Sequence, residues 1–185
     1  TGSFGNPSSI YQLGQETKAA IEDARGAVAR VIGARPAEIV FTSGATESDN
    51  TALAGVLWSA RFRSPNGPAP HLITSAIEHH AVLHCAEFLE KQGFAVTVVP
   101  VDRDGFVDPA TVEAAIRPET ALISIMYANN EVGAIQPIAE IGQIAREHGV
   151  PFHTDAVQAA GALAIDVNAL NVDLLSLSAH KFGGP

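Results

Sequence analysis

A chain of 185 residues with 46% hydrophobic and 17% charged side chains carries enough apolar content to bury a core and too much to remain disordered. Its 11 basic against 20 acidic side chains give a formal charge of −9, which repels phosphate backbones and anionic lipid surfaces, so neither nucleic acid nor membrane is expected as a partner. Cys85 is the single cysteine, which excludes an internal disulfide framework and any paired-cysteine metal site and fits a reducing compartment. With no apolar segment long enough for a bilayer and no charged-then-apolar leader, the expectation is a soluble, cytoplasmic protein. The abrupt start at Thr1 and the stop at Gly184-Pro185, where a turn should lead into more structure, read as the bounds of a segment of a longer protein.

The first predicted element is an amphipathic helix over 9–32, with serines available as N-cap, apolar residues at helical spacing and Gly33 as the stop. Pro36 leads into a β-type run at 38–42, and Ser43-Gly44-Ala45-Thr46 opens a second helix reaching Arg63. Three prolines within 64–70 defeat helix and ladder alike and mark a loop. Beyond it the pattern predicts strand 71–75, helix 79–92, strand 94–99, helix 109–116, strand 121–126, helix 138–148, strand 151–154 and strand 174–177. Short apolar strands alternating with helices imply an α/β fold, a mostly parallel sheet flanked by helices. Ligands of such sheets gather at the carboxyl ends of the strands.

Five polar clusters stand at or just after predicted strands: 43–46, 78–80, 129–131, 155–158 and 178–181. Lys181 is one of three lysines and follows the apolar run 172–178. An amine at the end of a buried strand is expected to be desolvated, which favours its neutral, nucleophilic form and suits Schiff-base chemistry. Asp155 is a candidate partner for a pyridinium nitrogen, and a lysine with such a carboxylate is the pairing that pyridoxal phosphate (PLP) requires. Each feature also has an ordinary alternative. Lys181 can be a surface lysine whose stem packs on the core, and Asp155 a helix cap. Ser43 to Thr46 can be an anion cradle or a plain capped helix start, and Asn129-Asn130 a ring-oxygen or carboxylate ligand or mere turn residues. His79, His80 and His84 can be surface or capping histidines, an aromatic partner for a flat cofactor, or metal ligands; His153 and Asp155, two apart on one strand face, also admit a metal. Cys85, among Val82, Ala86 and Leu89, reads as a small buried apolar residue.

Six ordered motifs carry a resemblance: Gly5-Asn6-Pro7-Ser8-Ser9, Phe41-Thr42-Ser43-Gly44-Ala45-Thr46-Glu47-Ser48-Asp49-Asn50, Glu78-His79, Asn129-Asn130-Glu131-Val132-Gly133, Asp155-Ala156-Val157-Gln158 and Ser178-Ala179-His180-Lys181. Together they resemble the class V aminotransferase family, and within it the cysteine desulfurases of the NifS/IscS type. The resemblance implies that residues 1–185 are the large PLP-binding domain of a fold-type I PLP enzyme, without its N-terminal strand and C-terminal small domain. It implies Lys181 as the Schiff-base lysine and proton carrier, His79 stacked on the ring, and Asp155 at the ring nitrogen. Gln158 would bond the phenolic oxygen, and Asn130 would lie near it and the substrate carboxylate. Ala45 (through its backbone), Thr46, Ser178 and His180 would hold the phosphate. The implied reaction converts L-cysteine to L-alanine and leaves sulfur as a persulfide on an enzyme cysteine, for iron–sulfur cluster or thio-cofactor synthesis. The implied partners are a second copy of the chain in a homodimer and a sulfur-acceptor or iron–sulfur scaffold protein.

The sequence departs from that pattern in several places. The persulfide cysteine and the arginine that clamps the substrate carboxylate belong to the part of the family beyond Lys181, so the isolated segment is expected to be inactive. Tyr11 stands where the family usually has histidine, and the loop at 64–70 is longer than usual. The alternatives are another class V PLP enzyme such as a selenocysteine lyase, a metal-dependent hydrolase built on His79, His80, His84, His153 and Asp155, and a silent assembly scaffold.

Overall fold

The computed structural model describes residues 5–184. They form two compact units that divide between Phe41 and Thr42.

In the first unit α1 (Gln12–Ile32) ends at Gly33, whose φ of 73° is the left-handed conformation that lets Ala34 N–H reach back to the Ala29 carbonyl at 2.9 Å. The helix starts three residues later than expected because Asn6 organises the serines into a turn: its side-chain oxygen accepts from Ser8 N–H at 3.0 Å and its carbonyl from Ser9 N–H at 3.0 Å. The strand expected at 38–42 does not form. Pro36–Glu38 is a 3₁₀ turn in which the Glu38 carboxylate accepts from Arg35 N–H at 2.8 Å, and Val40 and Phe41 are largely exposed. β-type composition yields a strand only where a neighbour offers a ladder. Here the Ile39 carbonyl instead accepts from the Arg25 guanidinium, which also lies 5.1 Å above the Phe41 ring.

The second unit begins with α2 (Ala45–Arg63) and continues with β1 (His71–Ser75), α3 (His80–Lys91), β2 (Ala95–Val99), α4 (Pro109–Ala115), β3 (Thr120–Ser124), α5 (Ile138–Glu147), β4 (Phe152–Asp155), β5 (Leu174–Ser176) and a 3₁₀ turn at Ala179–Phe182. The five strands form one sheet in the order β2-β1-β3-β4-β5, and every pairing is parallel. The crossover from β1 to β2 runs in one direction along the sheet, and those from β2 to β3 and from β3 to β4 in the other. Right-handed crossovers therefore place α3 on one face and α4 with α5 on the opposite one, consistent with α4 packing on α5. The reversal makes the β1/β3 junction the switch point of a doubly wound sheet.

The face under α2 and α3 changes character along the strands. Near the amino ends Leu72 and Leu122 pair in register and join Leu53, Leu57, Val82, Cys85, Leu89 and Phe94 in an apolar core, with Leu174 packed against it. One pleat further on, Thr74 pairs with Ser124, Ser124 with His153, and Asp155 with Ser176. All five of these residues are buried. Burying polar groups here is tolerable only if they bond one another.

Candidate active site at the carboxyl rim

Four neighbouring strands deliver the expected site residues to one rim. His79 follows β1, Asn130 follows β3, Asp155 ends β4 with Gln158 in the next turn, and Ser178, His180 and Lys181 follow β5. Ala45 and Thr46 form the first turn of α2, which packs against β3, β4 and β5. Since adjacent strands lie roughly 5 Å apart, residues from four strand ends fall within the span of one small ligand.

His79 is the N-cap of α3, and its Nδ1 accepts from Ala81 N–H at 3.1 Å. That bond fixes the ring orientation and, for the neutral imidazole, puts the proton on Nε2. The His79 ring is exposed, while Asp155 below it is buried, with Oδ1 accepting from Val157 N–H at 2.9 Å. Burial raises the Asp155 proton affinity; the Val157 bond and the nearby His79 oppose that rise.

The two asparagines divide their tasks. Asn129 is consumed internally: Nδ2 donates to the Ile77 carbonyl at 2.9 Å, tying the β1 and β3 turns together, and Oδ1 accepts from Glu131 and Val132 N–H, each at 2.9 Å. Asn130 stands exposed on the turn so formed.

Lys181 departs from the expectation of a desolvated amine. β5 stops at Ser176, and the 3₁₀ turn that follows carries Lys181 out to an exposed position. Gly161 sets where this turn lies: at φ 81° it faces Phe182 so closely that a Cβ would come within 2.7 Å of the Phe182 Cβ. Ser178 is buried and its hydroxyl bonds His180 Nδ1 at 2.9 Å. α2, which packs on β5, opens at Gly44, where an added Cβ would meet nothing within 4 Å. Ser43 donates to the Glu47 carboxylate through both N–H and Oγ at 2.6 Å, holding its proton affinity below the usual range.

The metal-hydrolase arrangement is not assembled. Both ring nitrogens of His153 face serine hydroxyls, Ser124 at 2.8 Å and Ser176 at 3.1 Å, while His80 and His84 stack on each other at 5.1 Å on an exposed helix face. Among the described residues no group of three or more His, Cys, Asp or Glu side chains is arranged to hold a metal ion. Cys85 is buried in the core, as its apolar neighbours suggested, and its thiol is pushed up to about 11, chiefly by burial.

Sequence reasoning missed two buried carboxyls beneath the rim. Glu78 accepts from the Ser75 hydroxyl at 2.5 Å and from Met126 N–H at 2.9 Å, bridging the ends of β1 and β3, while Oε2 has no partner. Burial pushes it up to about 8. Asp49, on α2, is fully buried with neither oxygen hydrogen-bonded. The available signal was the run of strand-terminal hydroxyls at Thr74, Ser75, Ser124 and Ser176, which marks a polar layer where a buried sheet should be apolar.

A doubly wound α/β sheet with an amine, a buried carboxylate, a fixed imidazole and a helix N-terminus on its carboxyl rim has the architecture of a cofactor-dependent enzyme domain. Residues 1–185 match the family model described as Aminotransferase class-V, and the chain belongs to that family. It is 55% identical over 98% of its length to "Cysteine desulfurase IscS" of Dictyoglomus turgidum and 57% identical over its whole length to the protein of the same description from Methanosarcina thermophila, covering 45% of each. Among solved structures, "SspA in complex with cysteine" superimposes on the entire chain with a TM-score of 0.94 at 47% identity, over 52% of its own length. A "NIFS-LIKE PROTEIN" does so with a TM-score of 0.93 at 41% identity, over 50% of its length. The chain thus spans about half the length of the relatives it matches.

Proposed function

We propose that this chain is the PLP-binding part of a cysteine desulfurase, and that residues 1–185 belong to the cofactor domain of the longer enzyme. The observation that carries the reading is the convergence of Lys181, His79, Asp155 and the first turn of α2 on one rim of a parallel sheet. The residues fit the cofactor. Asp155 is a buried carboxylate beside a fixed imidazole, able to hold a ring nitrogen in its protonated form. The unobstructed start of α2 and the Ser178–His180 pair supply N–H and side-chain donors for a phosphate.

When bound, PLP supplies an electron sink that stabilises charge at the substrate Cα. The chain's own residues do the rest. Lys181 Nζ would hold the cofactor and would carry protons to and from the substrate Cα. His79, its orientation held by the α3 cap, would lie against the ring. Gln158 and Asn130 would orient the ring oxygen, and Asn130 would also receive the L-cysteine carboxylate. Cys85, buried and held as a thiol, is unsuited to accept sulfur. The persulfide-bearing thiol therefore lies outside these residues, and the proposed partners are a second copy of the chain and a sulfur-acceptor or iron–sulfur scaffold protein. A cytoplasmic location follows from a chemistry that needs reduced thiols; among the described residues no helix is long and apolar enough to cross a membrane.

The test uses the full-length protein. It should be yellow as purified, borohydride reduction followed by peptide mapping should tag Lys181, and added L-cysteine should give alanine and sulfide. Colourless protein that leaves Lys181 untagged after incubation with PLP refutes the reading. A tagged lysine with no alanine from cysteine refutes the substrate.

A further inference from the structure

The rim leaves a buried layer of titratable side chains with no assigned role. Asp49 Oδ1 lies 3.6 Å from His153 Nε2, and both side chains are sealed from solvent. Ser176 Oγ is 3.1 Å from the same Nε2, and Ser124 Oγ is 2.8 Å from Nδ1. His153 sits two residues before Asp155, so both side chains point to the sheet face that α2 covers. We propose that Asp49 and His153 share one proton as a net-neutral buried pair, with Ser176 between them, leaving Asp155 as the layer's single negative charge. This rests on the reading of Asp155 as the partner of the cofactor's ring nitrogen.

A count of charges supports it. Asp49, Glu78 and Asp155 are close enough to repel one another, and an ionised Asp49 facing only the Ser176 hydroxyl and a neutral imidazole would be a buried charge with no cationic partner, which is strongly unfavourable. Burial first, and then the charge of Asp155, pushes Asp49 up to about 7, with Ser176 opposing; burial alone pushes His153 down to about 4. The proton therefore resides mainly on Asp49; at 3.6 Å the two groups do not bond directly, so it passes to Nε2 through the Ser176 hydroxyl, and either position leaves the pair neutral. The other titratable groups near it are Glu78 after β1, held protonated, and Cys85 on α3, held as a thiol, while His79 at the start of α3 acts on Asp155. Losing the shared proton would place a second negative charge behind Asp155. That charge would strengthen the hold of Asp155 on a ring-nitrogen proton as pH rises, so Asp49 and His153 act as positioning residues through Asp155 and touch no reacting atom.

The deciding measurement is the imidazole nitrogen chemical shift of His153 in the full-length protein, cofactor removed, between pH 5 and 9, with His153→Gln assigning the signal. One titration step near pH 7 is expected, disappearing from that window in Asp49→Asn and moving in Ser176→Ala, which serves if Asp49→Asn does not fold. A His153 signal that shows no such step, or one that these variants leave in place, overturns the pairing. With PLP bound, wild type and Asp49→Asn should have coincident absorption spectra at pH values well below that step. The alkaline midpoint should be lower in the variant by about half a pH unit, a roughly threefold change in proton affinity; coincident midpoints overturn the tuning role. If Lys181 is never tagged by borohydride in wild type, the cofactor reading fails while the apo titration still decides the pair. If Lys181 is tagged and the His153 step is absent, the pair fails alone.

Discussion

Replacing Glu78 by glutamine should stabilise the protein at alkaline pH and leave it nearly unchanged at acid pH. The native carboxyl is pushed from its ordinary 4.5 up to about 8, mainly by burial, with Asp155 and Asp49 adding to the rise and the Ser75 and Met126 bonds opposing it. The folded protein thus holds a proton that the unfolded chain has released between those two values. The stabilisation is complete below the unfolded value and is lost as pH rises through the folded one. At about 1.4 kcal/mol per unit, a rise of roughly 3.5 units corresponds to a loss of about 5 kcal/mol by pH 8, a large share of a typical domain's stability. Glutamine keeps an acceptor for Ser75 and Met126 and, like the protonated acid, places a donor at the second position, so the two side chains match below pH 5. Urea unfolding of the full-length protein at pH 5 and pH 9 measures the difference. With an m-value of about 2 kcal/mol/M, the variant's midpoint should exceed wild type by about 2.5 M at pH 9 and agree with it at pH 5. Parallel pH profiles would show that Glu78 titrates alike in both states and that its burial is misjudged.

His71 predicts the opposite slope. Its nitrogens bond Thr120 at 2.9 Å and Thr97 at 2.8 Å, and burial, with Arg117 adding, lowers it to about 4, so its stabilisation holds above pH 6.5 and is lost as pH falls through the folded value. His71→Gln should lose about 1–2 kcal/mol at neutral pH and flatten the profile between pH 6.5 and 4, read by thermal unfolding. Gly161→Ala, with φ 81° and Phe182 in the way, should cost about 1–2 kcal/mol and reduce borohydride labelling of Lys181 by displacing the 3₁₀ turn. Lys181→Ala should abolish that labelling while changing stability by less than about 0.5 kcal/mol, because the side chain is exposed; a larger loss would return it to the buried position that the sequence suggested.

The order of elements in the second unit is legible because its punctuation is strong. The prolines of 64–70 separate α2 from β1, Pro109 opens α4 after the Asp108 cap, and Gly93 and Gly149 turn α3 and α5 back toward the next strand with φ of 83° and 67°. The residues converging on the rim are legible for a topological reason: in a parallel sheet every strand ends on the same side, so clusters that follow strands must meet. What the sequence hides is whatever depends on a neighbour. Ile39, Val40 and Phe41 have strand composition but form no strand here, and Lys181 follows an apolar run yet lands one short turn beyond it, in solvent. Asp49 was equally opaque. Within α2 it reads as one more polar residue of the run 46–50, and only the helix's approach to β4 and β5 reveals that it is enclosed.

The unpartnered oxygens of Asp49 and Glu78 have an evolutionary consequence. Neutral or apolar side chains of similar shape would relieve their isolation, so most random replacements that improve heat resistance at this layer would come from erasing them. A laboratory selection for thermal survival alone should discard these acids early, whereas one that also demands turnover should retain them, and the contrast between the two surviving populations would separate residues kept for folding from residues kept for chemistry.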